Sequence, residues 1–196
     1  MAIPRVPSLT HENRWHYGVM VDSVSQWTAP AVRRPEGSLL DPEPALLRGL
    51  LDWHRATLLQ KCAGLTGEQL ALTPVEPSNL SLLGLIRHAA KVERIWFRRR
   101  LRGEEIDNLY STAQRPDADF EDLDPAAAEE DYARLLDEQR RAREAVDGVP
   151  LDHTFVLPDG ETVPVRFLLV HMIGEYARHN GHADLIRQRI DGVAGA

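Results

Sequence analysis

The chain has 196 residues, 43% of them hydrophobic and 27% charged, an ordinary balance for one globular domain that buries a core of its own. Its net charge of −7 argues against a nucleic-acid-binding protein and against a basic membrane-surface helix, since both need surplus Lys and Arg against phosphate. Cys62 is the sole cysteine, which excludes an internal disulfide, and no apolar run suits a bilayer span or a signal-peptide core, so the chain reads as cytoplasmic.

Residues 1–40 scatter Pro4, Pro7, Pro30 and Pro35 among polar residues without a helical or alternating period. They read as an irregular N-terminal arm ahead of a bundle domain spanning 41–196, with Met20 an equally good start. Trp15, Tyr17 and Trp27 are expected to dock on that bundle rather than stand in water. The first helix follows Asp41, a capping residue, with Pro42 suited to the first turn. Leu46, Leu47, Leu50, Leu51, His54 and Leu58 form its apolar face, and Gly64 is its stop. A short helical turn from Thr66 to Leu72 is closed by Pro74 and Pro77.

The second long helix is expected from Ser81 to about Leu101, with Gly103 beyond it. Leu82, Leu85, Ala89, Val92 and Trp96 supply its core stripe, and Arg87, Lys91, Arg94 and Arg98 fall on the opposite side. The basic run Arg98, Arg99, Arg100 and Arg102 complements the helix dipole in the last turn. Residues 104–124 are acidic and loop-like. A third helix opens at Asp124-Pro125 and runs through Ala145; its apolar face (Tyr132, Leu135, Leu136, Val146) is thin, which predicts an outer position. Residues 153–165 alternate around a Pro-Asp-Gly turn and suit a small hairpin or an ordered loop. The last helix covers about Pro164 to Ile190, with Gly192 past its end. Four long helices without a βαβ pattern or an internal repeat give an all-α four-helix bundle.

The last helix carries the chemistry. At 100° per residue, His171, Glu175, His179 and His182 fall within roughly 80° of arc, on a stripe shared with Phe167, Leu168, Leu185 and Ile186. Three imidazoles and a carboxylate thus stand where a bundle normally places Leu. Buried, they need partners, and a divalent metal satisfies both the carboxylate and the imidazole lone pairs. Glu175 and His179, at i and i+4, reach one ion from one face, and a further ligand is then expected from a facing helix. His88 is the first candidate and His54 the reserve, although a lone His such as His54 is more often a hydrogen-bonded core residue. A metal-free hydrogen-bond network of Glu175, His179 and His182 is the competing reading. Cys62, beside Leu58, Leu59 and Leu65, reads as a buried, inert thiol rather than a nucleophile, and no phosphate-binding loop is present.

The segments LTGEQLALTP, LLGLIRHAAKVERIWFRR and HMIGEYARHNGHADLIR, in this order and spacing, resemble the DinB/YfiT-like superfamily. The nearest branch is the actinobacterial one of mini-circle proteins and mycothiol transferases, and the resemblance runs from about Trp27 to the C-terminus. It implies a DinB-like four-helix bundle holding a divalent metal on one histidine of the second helix, matched by His88, and two ligands of the last helix. The common form of the last motif is His-x₃-His followed by Arg-Gly-Gln. Placing His179-Asn180-Gly181-His182 on that tail puts Glu175 at the earlier ligand position and His182 at the usual glutamine. Two histidines and a glutamate resemble the set of mycothiol-dependent maleylpyruvate isomerase; zinc suits it best, with nickel and iron also compatible.

The resemblance implies a metal-dependent thiol S-transferase that activates a low-molecular-weight thiol cosubstrate, mycothiol first among them, for attack on an electrophile such as an epoxide, a halide or a quinone, as in detoxification. Alternatives are a maleylpyruvate-type isomerase, for which Arg178 is the one evident diacid-binding group, and a non-catalytic, stress-related bundle with a vestigial site. The expected partners are the small thiol and the electrophile, with neither nucleic acid nor membrane; homodimerisation through the outer faces stays open.

Overall fold

The computed structural model describes residues 26–194, so the expectations for Trp15, Tyr17 and Met20 lie outside the described residues. Helix α1 (Glu43–Cys62) is followed by the single turn α2 (Gly67–Leu70) and by α3 (Leu82–Glu93), which continues without a break as π-helical turns over Arg94–Leu101. A short α4 (Ala118–Glu121) and a 3₁₀ turn (Pro125–Ala127) lead into α5 (Ala128–Val146). The hairpin β1 (Thr154–Val156) and β2 (Thr162–Pro164) precedes α6 (Val165–Asp191). The architecture is the expected all-α bundle, with α1, α3, α5 and α6 as its four long members.

The punctuation follows local chemistry. The Ser81 hydroxyl accepts from the Gly84 N–H and starts α3, and Thr66 with Gln69 closes a reciprocal capping box on α2. The Asp124 side chain accepts from the Ala126 N–H ahead of Pro125, and Gly192 ends α6 in the left-handed region at φ 78°. Asp41 departs from its expected role. Pro42 is the N-cap of α1 and contributes no side-chain cap, while the Asp41 carboxylate accepts from the Ser38 N–H at 3.4 Å. Residues 154–164 form the hairpin, Phe155 opposite Val163 with both rooted in the core. Trp27 sits edge-on to Tyr132 at 5.8 Å, and Ala29 exchanges backbone hydrogen bonds with Gly64 and Leu65. Gly67 is required by close approach, because a Cβ there would lie 2.1 Å from the Pro125 carbonyl oxygen.

The polar side of α3 is not a solvent face. Arg87 donates to the carbonyl of Ala118, Lys91 reaches Asp119 at 2.7 Å, Arg94 grips Glu138 at 2.6 Å, and Arg98 bridges Glu104 and Glu138 at 2.7 and 3.0 Å. The basic stripe is therefore the seam on which the acidic segment and α5 dock. Helix α5 packs on this side of α3 and leaves Glu130, Arg140, Arg141 and Glu144 exposed, the outer position expected for it. Its thin apolar face is completed by buried Asp131, Glu138 and Gln139, so charge complementarity with α3 replaces missing leucines.

A second buried polar cluster joins the other helices. Arg55 of α1 holds both carboxylate oxygens of Glu93 of α3 at 2.7 Å, the Tyr176 hydroxyl of α6 donates to Glu93 at 2.7 Å, and Gln139 of α5 donates to Tyr176 at 3.2 Å. Arg55 is 3% exposed and Glu93 fully buried, so neither charge is stable there without the other. Glu93→Leu should lower stability by about 3–5 kcal/mol, read from the urea midpoint, because it strands the Arg55 guanidinium. The double variant Arg55→Met/Glu93→Leu should recover most of that loss; an unchanged midpoint in the single variant would refute the coupling.

Candidate metal centre

The core-facing side of α6 is Leu168, Leu169, Met172, Tyr176, Asn180, Ala183 and Ile186. The predicted stripe is rotated relative to it. Leu168 and Ile186 are buried, but Phe167 and Leu185 are 43% and 57% exposed, and His171, Glu175, His179 and His182 are half-buried. The polar stripe thus flanks the core and faces the groove between α6 and α3. Ligating side chains at such a position remain reachable from solvent.

His88 projects into this groove from α3. One ligand-type atom each from His88, Glu175 and His179 lies within 4.8 Å of the others, the three residues singled out from sequence. Leu58, Leu85, Ala89, Val92, Met172 and Tyr176 line the crevice beneath them and keep the floor apolar. Burial, reinforced by neighbouring His88, pushes the His179 pKa down to about 4, so its lone pair is available at neutral pH. Nε2 of His179 lies 3.6 Å from Oε2 of Glu175, beyond hydrogen-bond range. A simple Glu175–His179 hydrogen bond therefore does not account for the arrangement. Three donors converging without bonding one another fit a divalent ion, and two neutral imidazoles with one carboxylate is a donor set that zinc, nickel and iron all accept.

Each imidazole has a second partner. Nδ1 of His88 lies 2.8 Å from Oδ2 of Asp119, a fully buried carboxylate whose other oxygen meets Lys91 at 2.7 Å. The Phe120 ring stacks on His88 at 4.9 Å. This fixes the ring and leaves Nε2 as the nitrogen His88 can offer to the centre. Gly84 permits the approach, since a Cβ there would come within 3.0 Å of the Phe120 ring. His179 is flanked likewise: its Nδ1 lies 3.4 Å from Nδ1 of His182, which places His182 behind the ligand atom. Asp119 was not identified from sequence. It sits 31 residues from His88 in an acidic segment with no period, and only the docking of Lys91 on the same carboxylate gives it away.

His54 stands apart from the three. Its Nδ1 lies 3.4 Å from the Asn180 amide, its ring packs edge-on to Trp53 at 5.1 Å, and burial holds its pKa below the usual range. It is a half-buried, hydrogen-bonded histidine outside the centre. Cys62 is fully buried, and desolvation pushes its thiol up to about 12, so it is neutral at physiological pH and carries no nucleophile. Of the basic run after α3, Arg98 is paired as above, Arg99 donates to Asn108, and the Arg100 guanidinium lies over the Trp96 ring at 4.0 Å. No helix among the described residues is long and apolar enough to cross a membrane.

A family model described as mycothiol-S-transferase matches residues 46–192, which contain every residue of this centre. No curated protein and no solved structure matches the chain.

Asp119→Asn should weaken divalent-metal binding by about 10- to 100-fold in chelator competition, through lost orientation of His88, while His54→Ala should leave it unchanged. Native protein should resist a water-soluble thiol reagent at pH 8 and react once per chain after unfolding in urea; rapid native labelling would contradict the burial of Cys62.

Proposed function

The chain belongs to the mycothiol S-transferase family, a DinB-like group, and on that premise we propose that it is a metal-dependent thiol S-transferase. It would join a low-molecular-weight thiol, mycothiol as the family's description indicates, to a small electrophile. The observation that carries the proposal is the convergence of His88, Glu175 and His179 within 4.8 Å, with Asp119 and His182 set behind the two imidazoles. His88, Glu175 and His179 hold the ion, zinc by preference and nickel or iron by the same donor chemistry. When bound, a divalent ion supplies a positive centre that lowers the pKa of a coordinated thiol and keeps it as thiolate.

The chain's own residues do the rest. Asp119 and Lys91 hold His88 in one tautomer and one orientation, and the apolar floor from Leu58 to Met172 excludes water beneath the sulfur. His88, Glu175 and His179 as three protein ligands would leave a divalent ion able to accept the substrate as well. The side chains of His88, Glu175 and His179 are 19%, 22% and 16% exposed, so the thiol proton has a route to water and the electrophile a route in. In the transfer, the S–H bond gives its proton to solvent and the sulfur electron pair forms the new C–S bond. With a halide the C–halogen bond breaks and its electron pair leaves as halide; with an epoxide the C–O bond breaks and the alkoxide takes a proton from water.

The isomerase reading requires two cationic groups for a diacid. Arg178, 67% exposed and 3.7 Å from Glu175, is one such group, and the transferase is favoured because the family model that matches the chain is described as mycothiol-S-transferase. Elemental analysis of protein purified without a His tag should give near-stoichiometric metal, lost in His88→Ala and in His179→Ala. Thiol consumption in the presence of an electrophile should fall to background in the same variants and after chelation. Wild type that stays empty after reloading with zinc, nickel or iron would overturn the proposal in favour of a non-catalytic bundle.

A further inference from the structure

Continuing along the α6 stripe from Glu175 toward the N-terminus, the next residue is His171, one turn away, or about 6 Å of rise. It stands in a cluster of rings at the end of the groove that holds the metal centre. The Trp96 ring lies 4.3 Å from His171, the Phe167 ring stacks against His171 at 5.8 Å and 23°, and Trp96 and Phe167 are 6.3 Å apart. Trp96 packs against the core with part of its ring, but the cluster also reaches the surface. Phe167 and its neighbour Val170 are 43% and 54% exposed, whereas the inward face of α6 is filled by other residues.

Arg100 closes the far end of the cluster, its guanidinium carbon over the Trp96 ring at 4.0 Å. It differs from Arg94 and Arg98, which both grip Glu138. Among the described residues Arg100 makes no hydrogen bond or ion pair; Asp159 acts on it through charge alone. A half-buried guanidinium fixed on an indole, its N–H groups still to be satisfied, is pre-organised for a bidentate carboxylate.

We propose that Trp96, His171, Phe167 and Arg100 form the subsite for the electrophile, and that it selects a planar, conjugated molecule bearing a carboxylate. This rests on the transferase reading for its catalytic meaning, but not for the binding itself. The rings offer flat apolar surface one turn from the metal ligands, and Arg100 offers the counter-charge at the distal end. The ring centroids lie 4.3 to 6.3 Å apart and the Arg100 guanidinium 4.0 Å from Trp96, a patch on the scale of a one- or two-ring acid. A neutral ring would give Arg100 no role, and so the charge favours the acid.

The test is calorimetric titration of the full chain with naphthoate, an unreactive planar acid, and with the uncharged naphthamide. Wild type should bind naphthoate at one saturable site and bind naphthamide about tenfold or more weakly, the scale of one charge-assisted pair. Trp96→Leu and Arg100→Gln should each weaken naphthoate by a similar factor while keeping their metal content and helical circular dichroism. His179→Ala and chelated wild type should still bind it, which separates this subsite from the metal centre and from the fate of the transferase reading. Absence of saturable binding, equal affinity for acid and amide, or loss of binding on chelation with Trp96→Leu unaffected would each overturn the proposal.

Discussion

The interaction on which most of the structure depends is the buried pairing of Arg55 with Glu93, extended to Tyr176 and Gln139. It contributes one group from each of the four long helices. Apolar side chains give a bundle its cohesion but tolerate sliding and rotation, since one leucine contact resembles another. A bidentate guanidinium–carboxylate pair does not, because a small displacement leaves a charge without its partner. Tyr176 directly follows Glu175 in sequence, so its hydrogen bond to Glu93 also fixes how α6 presents Glu175 across the groove from His88.

Around that centre, α3 is polarised in an unusual way. Its inner face meets leucines, and its other face is a column of cations that recruits the acidic segment and α5. The segment connecting α3 to α5 would otherwise be a long loop with little apolar content. Ion pairs to Lys91 and Arg98, and donation from Arg87 to backbone carbonyls, give it a defined path. That path delivers Asp119 behind His88. The candidate centre is therefore assembled from two helices of the bundle and from a segment held by the charge seam together with Tyr110, Phe120 and Leu123 packed against the core.

Much of this was readable before the fold was seen, because it is encoded locally. Ser81, Thr66, Asp124-Pro125 and Gly192 mark helix ends by chemistry acting over two or three residues, and the alternation around Pro158-Asp159-Gly160 does the same for the hairpin. His88, Glu175 and His179 were legible because polar residues at helical spacing on an apolar face are conspicuous. The rotation of α6 was not legible. A helical wheel identifies a stripe, but with Leu169, Met172 and Tyr176 beside it the wheel cannot tell the centre of the buried face from its flank. Arg87 and Arg98 fall opposite the core stripe on a helical wheel, and their burial is not legible there because it depends on carboxylates and carbonyls far along the chain, which no local period records.

The π-helical stretch Arg94–Leu101 has a consequence for how the chain tolerates length change. Hydrogen bonds running from residue i to i+5 put more residues into each turn than the α-helical spacing, so the stretch acts as a phase shifter between the two halves of one continuous rod. Upstream, the rod aims Glu93 at Tyr176 and His88 at the groove; downstream, it aims Arg98 at Glu138 and stacks Arg100 on Trp96. Because the wider turns absorb a surplus residue, a single-residue deletion within it would restore α-helical geometry and leave the downstream half nearly in phase, whereas a single-residue insertion in α-helical geometry would turn that half by about 100° and scatter those side chains. The residue count of this stretch is thus a constraint separate from the identity of the residues in it, much as a vernier is set by the number of its divisions.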